Sequence, residues 1–242
     1  MQALFIADAH ISGTKDEYQK KLTDMLLSYA DKIDALFILG DLFEFWTGGN
    51  ALLVKEYAEI LSALKVISQR GKQIVYLEGN HDFSLGKFFK KAFNAEVYPD
   101  YFESYFDKRK FFLAHGDTAN QEDFLYRVLR KSLRSFIFSA LIKIIPFSIV
   151  WRIGKAFGSM GRSDWGKPDH RLTRHLREFA RNKFGEGYDG VLLAHLHYPD
   201  RITANLDGKQ CEYINVGGWK PDMHYLLYNG SSFEHRQFND KN

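Results

Sequence analysis

Five short apolar runs, each followed within a few residues by Asp, Asn or His, constrain the fold of this chain more than any other feature. The runs lie at residues 3–7, 35–39, 73–77, 111–114 and 191–194. Almost wholly apolar runs of this length are typical of strands buried on both faces of a sheet. Amphipathic stretches with helical spacing follow the first three runs, at about 15–30, 51–69 and 86–93. This alternation predicts an α/β fold of βαβ units around a buried sheet.

The remainder of the chain divides into a helical segment and a strand-rich tail. Residues from 121 to about 184 are expected to be helical, and their apolar middle, 136–151, contains Lys143 and Pro146, which make it a poor membrane span. We interpret about 121–165 as helices inserted between two core strands, forming a cap over one end of the sheet within a single domain of residues 1–242. The last forty residues are expected to form strands joined by turns containing Gly or Asn.

The composition excludes several classes of protein. Since 45% of the 242 residues are hydrophobic, the chain can bury a full core, and global disorder is excluded. Cys211 is the only cysteine, which excludes a disulfide framework and a cysteine-based zinc site. The N-terminus has no basic region, and no uncharged apolar run reaches about 18 residues, so we expect a soluble cytoplasmic protein without a secretory signal.

The net charge of +3 is unevenly distributed along the chain. Residues 121–178 contain twelve Lys and Arg against five Asp and Glu, a local net charge of +7. This asymmetry predicts an anionic partner for one region rather than for the whole molecule. Basic residues beside apolar surface suit the anionic head groups of a membrane surface, and we expect no nucleic-acid partner.

Each predicted core strand runs into residues that commonly bind metals. These segments are Asp8-Ala9-His10, Gly40-Asp41, Gly79-Asn80-His81-Asp82, His115-Gly116-Asp117 and His195-Leu196-His197. Because sites in sheet proteins form beyond the carboxyl ends of strands, we expect these side chains to converge. An i, i+2 spacing in extended backbone would also place both side chains of Asp8-x-His10, and of His195-x-His197, on one face.

The donor set favours a centre of two divalent ions. Nitrogen and oxygen donors without a thiolate suit Mn²⁺, Fe, Zn²⁺ or Mg²⁺, and there are enough of them for two ions if one carboxylate bridges. Two ions about 3.5–4 Å apart clamp a phosphoryl group and activate water at neutral pH.

The order of these segments resembles the motif series of the calcineurin-like metallophosphoesterases: D-x-H, G-D, G-N-H-D, H-G-D and A-H-x-H. The resemblance spans almost the whole chain and implies an αββα sandwich of mixed β-sheets flanked by helices. Carried onto this sequence, it implies that Asp8, His10, Asp41 and His197 hold one metal. The second metal would be held by Asp41, Asn80, His115 and His195, with Asp41 bridging. His81 would contact the phosphate or protonate the leaving oxygen, and Asp82 would orient His81.

A narrower resemblance lies at residues 40–48, G-D-L-F-E-F-W-T-G. This run is similar to the G-D-L-F-[DE]-x-W-x-G motif of the UDP-2,3-diacylglucosamine pyrophosphatases of lipid A biosynthesis, and residues 79–83 and 115–118 extend the match. The resemblance implies hydrolysis to lipid X and UMP by an enzyme peripheral to the cytoplasmic face of the inner membrane, with Mn²⁺ as the first choice of metal. Many members have Arg at the position of His81, so His81 follows the pattern of the wider superfamily.

Several residues are candidates for binding such a substrate. Phe138 and Leu141 belong to the apolar segment, which exceeds what a short helical hairpin needs to bury and suits acyl chains. Lys155, Arg162 and Lys167 are candidates for contacts with the diphosphate. The remaining candidates follow core strands: Phe45, Trp46, Asn80 and His81.

Two alternatives remain open. The chain could be another phosphoesterase of the same fold, acting on a soluble nucleotide, a phosphoprotein or a different lipid phosphate. It could instead be a non-catalytic binding module, although a competent residue at every predicted ligand position disfavours this.

Overall fold

The computed structural model describes residues 1–120, 124–135, 145, 169–206 and 208–239. The strands are β1 (Ala3–Ile6), β2 (Ala35–Ile38), β3 (Trp46–Thr47), β4 (Gln73–Leu77), β5 (Asp82–Phe83), β6 (Glu96–Tyr98), β7 (Tyr101–Phe106), β8 (Arg109–Ala114), β9 (Gly190–Leu193), β10 (Asp200–Leu206), β11 (Lys209–Asn215), β12 (His224–Tyr228) and β13 (Phe233–Gln237). The helices are α1 (Glu17–Tyr29), α2 (Ala51–Glu56), α3 (Ala58–Gln69), α4 (Gly86–Phe93), α5 (Phe124–Leu133) and α6 (His170–Gly185).

Two mixed sheets form the centre of the molecule. One has the strand order β13-β12-β1-β2-β4-β6, in which β1, β2, β4 and β6 are parallel. The other has the order β10-β11-β9-β8-β7, with β8, β9 and β11 parallel. The sheets face each other, α1, α3 and α4 cover the first sheet, and α6 covers the second. The αββα sandwich implied by the family resemblance is therefore confirmed.

Strand β1 has apolar residues at every position because both of its faces are covered. Leu4 and Ile6 pack toward the helices, whereas Ala3 and Phe5 pack between the two sheets. The ring of Phe5 stacks on Phe37 of β2 at a centroid distance of 4.7 Å. The continuous apolar run thus produces a strand that is buried on both faces, as the sequence predicts.

The helix expected over 51–69 is divided into α2 and α3 at Tyr57. The backbone of Tyr57 leaves the helical region, with φ −108° and ψ 20°. Its ring is buried against Phe43, and its hydroxyl donates to the carbonyl of Phe45. These tertiary contacts are compatible with the break, which the helical spacing of the sequence does not reveal.

Residues 124–135 and 145 are the described part of the insertion predicted at about 121–165. Helix α5 lies in it, which agrees with the expected helical character, and α6 follows it. Five predicted substrate-binding residues lie outside the described residues: Phe138, Leu141, Lys155, Arg162 and Lys167. Within the described part of the chain, no helix is long and apolar enough to cross a membrane.

Candidate metal centre

The predicted ligands converge from both sheets. Those of the first sheet follow β1, β2 and β4, which are parallel neighbours and therefore end at the same edge. Those of the second sheet follow β8 and β9, which are also parallel neighbours. The amide of His195 donates to Asp8 Oδ2 at 2.9 Å, which joins the two edges directly. The topology thus brings together side chains nearly 190 positions apart in the sequence.

The ligand-bearing turns have unusual backbone conformations. Asp8, His10, Asp41, His195 and His197 all have positive φ, between 44° and 67°. The expectation of extended backbone across the two i, i+2 pairs is therefore wrong, although both pairs do point into the centre. Such conformations cost about 1–3 kcal/mol each in non-glycine residues and are concentrated at functional sites.

Asp8, His10 and His197 form one cluster of donors. Their ligand-type atoms lie within 4.8 Å of one another. His10 Nε2 is 3.3 Å from His197 Nε2, and His197 Nε2 is 3.8 Å from Asp8 Oδ1. Asp8 and His10 are buried, which excludes most competing water.

Asp41, Asn80, His115 and His195 form a second cluster. His115 Nε2 lies 3.3 Å from Asp41 Oδ2, 3.1 Å from Asn80 Oδ1 and 3.2 Å from His195 Nδ1. The other ring nitrogen of His115 is 2.8 Å from the carbonyl of Leu39. If Nδ1 donates to this carbonyl, the lone pair of Nε2 is directed toward the cluster.

Asp41 lies between the two clusters. Its Oδ2 is 3.8 Å from His10 Nε2 in the first cluster and 3.3 Å from His115 Nε2 in the second. Its Oδ1 accepts from the amide of His81 at 2.8 Å, which fixes the carboxylate. Gly79 makes this position possible, because a Cβ there would lie 2.0 Å from Asp41 Oδ1.

The donor set fits two divalent ions. Oδ1 of Asp8 is buried and has no hydrogen-bond partner among the described residues, which is costly unless a cation satisfies it. Imidazole nitrogens about 3.3 Å apart, as in His10 and His197, would otherwise have to share a proton or repel each other. Carboxylate, amide and imidazole donors without a thiolate are typical of Mn²⁺, Fe and Zn²⁺ centres.

The pKa values of His195 and His197 agree with this fit. Burial, reinforced by a neighbouring histidine, lowers the pKa of His197 to about 3 and that of His195 to about 4. Neutral imidazole is the form that binds a metal. Against the effect of burial, the charge of Asp41 raises the pKa of His115 to about 10, and a divalent cation bound in the cluster would displace that proton. Burial raises the pKa of Asp8 to about 8, against the opposing charge of His115. A divalent cation would favour the ionised form of this carboxylate.

His81 lies beside both clusters at a partly exposed position. Its ring lies 4.6 Å from that of His10, between ring centroids, and its Nδ1 is 3.0 Å from the carbonyl of Glu44. Because a carbonyl only accepts, this contact assigns the proton to Nδ1 and directs Nε2 elsewhere. The position is compatible with a contact to a phosphoryl oxygen.

The structure corrects the contact expected of Asp82. Its carboxylate is fully buried and bonds to the loops rather than to the His81 ring. Oδ1 accepts from the amides of Asp41 and Gly79, and Oδ2 accepts from the amide of Leu42. These hydrogen bonds make Asp82 an organiser of the loops that carry the predicted ligands, and its burial denies it access to a reacting phosphate.

The structure also corrects one of the two aromatic candidates. Trp46 is completely buried, and its ring packs against Phe43, Phe88 and Phe89. A side chain enclosed in this way belongs to the core and cannot contact a substrate without rearrangement. Phe45 is only half-buried, and its role in substrate binding stays a prediction.

Three further residues hold the backbone around the centre or lie close to it. Lys220 is buried, and its Nζ donates to the carbonyl of His10 at 2.8 Å. The side-chain amide of Asn215 donates to the carbonyl of Ala194, the residue before His195. Glu44 is buried near His10, with 4.0 Å between His10 Nδ1 and Glu44 Oε2. Glu44 lies within the motif at residues 40–48, and this motif is the only feature of the sequence that indicates a functional role for Glu44.

Residues 1–199 match the family model described as calcineurin-like phosphoesterase, and the chain belongs to this family. Among curated proteins, one from Haemophilus influenzae (strain PittGG), named UDP-2,3-diacylglucosamine hydrolase, is 28% identical over 225 residues, which cover 92% of each chain. A protein of the same name from Aromatoleum aromaticum is 27% identical and covers 96% of this chain and 94% of its own length. A third, from Azotobacter vinelandii, is 25% identical and covers 96% of this chain and 97% of its own.

Proposed function

We propose that this metallophosphoesterase hydrolyses the pyrophosphate bond of UDP-2,3-diacylglucosamine, giving lipid X and UMP. The observation that carries the substrate assignment is the shared name of relatives that align with more than nine-tenths of the chain. The motif at residues 40–48 supports the same substrate. The convergent Asp, Asn and His side chains support the hydrolytic chemistry.

Asp8, His10, Asp41 and His197 are the proposed ligands of one ion, and Asp41, Asn80, His115 and His195 are those of the other. Two divalent ions held there would neutralise the phosphoryl oxygens and activate water for attack. We propose Mn²⁺ as the native metal, since the ligand set combines imidazole with oxygen donors. Metal analysis of protein purified without added metal, by inductively coupled plasma mass spectrometry, tests this identity.

His81 is the proposed contact to the reacting phosphate. The carbonyl of Glu44 and the bond from the His81 amide to Asp41 fix its ring and backbone beside both clusters. With Nδ1 held by the carbonyl, Nε2 is the atom that would meet a phosphoryl oxygen. Fixing the ring in advance lowers the entropic cost of that contact in the transition state.

We propose that the segment at about 121–165 is a cap within a single domain, and that most of the substrate contacts beyond the reacting phosphate lie in this segment or close to it. Phe138 and Leu141 would bind the acyl chains, Lys155, Arg162 and Lys167 the diphosphate, and Phe45 the substrate near the metals. The basic character of this segment supports a peripheral position at the cytoplasmic face of the inner membrane.

Purified enzyme with Mn²⁺ should be assayed on UDP-2,3-diacylglucosamine in mixed micelles and, in parallel, on soluble UDP-sugars, nucleotides and phosphopeptides. We expect kcat/KM for the acylated substrate to exceed that for every soluble compound, with lipid X and UMP as the products in ³¹P NMR. Asp41→Asn is the control for metal-dependent turnover. Equal or better turnover of a soluble compound would favour the alternative of a different phosphoesterase.

A further inference from the structure

Two arginines at the end of helix α5 reach the loops of the metal centre. The guanidinium of Arg134 donates through Nη2 to the carbonyl of Gly79 at 2.7 Å. Its Nη1 donates to the carbonyl of Pro99, also at 2.7 Å. The side chain of Arg134 is only 14% exposed, so the guanidinium is held largely away from water. Arg134 itself lies outside the motifs recognised in the sequence, whereas its acceptor Gly79 is the first residue of the G-N-H-D motif.

The carbonyl of Gly79 directly precedes Asn80. Because the peptide group is planar, the direction of this carbonyl also sets the direction of the Asn80 amide and the position of its Cα. The amide of Gly79, on the other side, donates to Asp82 Oδ1 at 2.9 Å. Arg134 and Asp82 therefore fix successive peptide groups immediately before the proposed ligand.

Arg130 fastens α5 to the same region. Its Nε donates to Asp117 Oδ2 at 2.8 Å, in the segment that begins with His115. Its Nη2 donates to the carbonyl of Pro99, which Arg134 also contacts. Arg130 thereby ties helix α5 to the loop after β8. Because the helix is held in this way, Arg134 contacts the loop after β4 from a fixed position.

We infer that Arg134 is a positioning residue for Asn80, holding this ligand in place through the Gly79 carbonyl. This inference rests on the metal centre of the proposed function, and it does not depend on the lipid substrate. Residues outside the ligand shell that orient a ligand typically change metal affinity or activity by about 10–100-fold when they are replaced. Arg134 would thus couple the α5 segment to the affinity of the second metal site.

The test compares R134Q and R134K with wild-type protein, each first depleted of metal and then titrated with Mn²⁺ in a calorimeter. In R134Q we expect one of the two Mn²⁺ affinities to fall by about 10–100-fold and the other to change far less. In R134K, the single ammonium group can replace only some of the N–H donors of the guanidinium, so we expect a smaller loss of Mn²⁺ affinity than in R134Q. At saturating Mn²⁺, hydrolysis of bis-p-nitrophenyl phosphate by R134Q should return to near wild-type kcat.

Hydrogen exchange of the metal-free proteins provides a measurement that does not depend on enzymatic activity. Amides in residues 78–83 should exchange faster in R134Q than in wild type, since the Gly79 carbonyl is no longer held. R109Q is the matched control. Like Arg134, Arg109 donates to a backbone carbonyl, that of Asp189, and it donates in addition to the carboxylate of Glu212. It lies at the start of β8, about 20 Å of strand from His115. R109Q should lower the melting temperature without changing either Mn²⁺ affinity.

The inference is overturned if R134Q binds two Mn²⁺ ions with wild-type affinities, or if R109Q weakens Mn²⁺ binding to the same extent. If R134Q does not fold, wild-type affinities and exchange in R134K overturn it equally. Wild-type protein that binds fewer than two ions would refute the proposed metal centre and this inference together. Failure to hydrolyse UDP-2,3-diacylglucosamine, with the expected Mn²⁺ results, would refute the substrate alone.

Discussion

The carboxylate of Asp82 accepts a hydrogen bond from the backbone amide of Asp41, with 3.0 Å between Asp82 Oδ1 and the nitrogen. Its other oxygen accepts from the hydroxyl of Tyr76 at 2.5 Å and from the amide of Leu42 at 2.7 Å. A single buried side chain therefore joins the turn that carries Asp41, the proposed bridging ligand, to the turn that carries Asn80 and His81.

Replacing Asp82 by Asn is expected to damage this junction. One acceptor oxygen becomes an NH₂ group facing N–H or O–H donors, and no water can enter because the residue is fully buried. A buried donor left unsatisfied costs about 1–3 kcal/mol. Urea unfolding of metal-free Asp82→Asn should show this loss, whereas the exposed helix residue Asp24, changed to Asn, should stay within about 0.5 kcal/mol of wild type. Equal stabilities of the two variants would contradict the role assigned to Asp82.

His81→Ala should leave both ions bound and lower kcat by about 10²–10⁴-fold, because it removes the proposed contact to the reacting phosphate. His81→Arg distinguishes the two roles open to this residue. The leaving group of the proposed reaction is a phosphate whose second pKa is near 6, so it requires little protonation. We therefore expect Arg to retain activity within about tenfold of wild type. An Arg variant as slow as the Ala variant, with metal content unchanged, would instead indicate that His81 acts as a general acid.

The sequence predicts the core strands β1, β2, β4, β8 and β9 and the Asp, Asn and His residues that follow them, because both depend on local patterns, whereas it does not predict β6 and β7. A run such as 35–39 is apolar on both faces, and the ligand follows it within two positions. Other features depend on contacts that no local pattern contains. Arg134 lies 55 positions from its acceptor Gly79, and Lys220 lies 210 positions from His10. The burial of Trp46 and the positive φ of the ligand turns are likewise set by tertiary packing.

Asp41→Asn should abolish turnover with any metal. An amide has one oxygen and no charge, so it cannot replace a carboxylate that lies between the two clusters. Asn80→Ala should remove only the ion of the second cluster, since Asn80 contacts His115 and not the first cluster. Metal stoichiometry measured beside activity separates the variants: we expect less than one ion in Asp41→Asn and about one in Asn80→Ala. Substantial activity in Asp41→Asn would refute a bridging role.

Asp16 predicts a pH dependence of stability. It caps α1, and its carboxylate accepts from Lys220 Nζ at 2.5 Å and from the amide of Ser12 at 2.8 Å. Burial opposes the charge, but Lys220 and Ser12 hold its pKa below the usual value. Because the folded pKa lies below the unfolded value of about 3.9, the ionised carboxylate stabilises the protein above that pH. This stabilisation is lost as the pH falls through the folded pKa.

Asp16→Asn should therefore lower the free energy of unfolding at pH 7 by about 1–3 kcal/mol, since a charge-assisted hydrogen bond is lost. The difference from wild type should remain at pH 5 and shrink below about pH 4. Urea unfolding of metal-free protein at pH 7, 5 and 3 measures it, with Asp24→Asn as the control. A difference that stays constant down to pH 3 would show that the charge of Asp16 is not the stabilising feature.

The acyl-binding role of the cap can be separated from the chemistry by one double variant. The motivating features are the apolar run at 136–151, the +7 charge of residues 121–178, and their place in the sequence between β8 and His195. Replacing Phe138 and Leu141 by Ser should raise KM for the acylated substrate and leave hydrolysis of bis-p-nitrophenyl phosphate nearly unchanged. Loss of uniform binding raises KM alone, whereas damage to the metal centre would lower kcat for both substrates.

The melting temperature of this variant must be measured with the kinetics, because truncating a core side chain costs about 2–5 kcal/mol. A higher KM for the acylated substrate at unchanged melting temperature supports acyl binding by Phe138 and Leu141. If both substrates are affected equally, or if only the melting temperature falls, these side chains are structural. The segment would then have no assigned part in binding lipid, and the broader assignment to a calcineurin-like phosphoesterase would stand without the diacylated substrate.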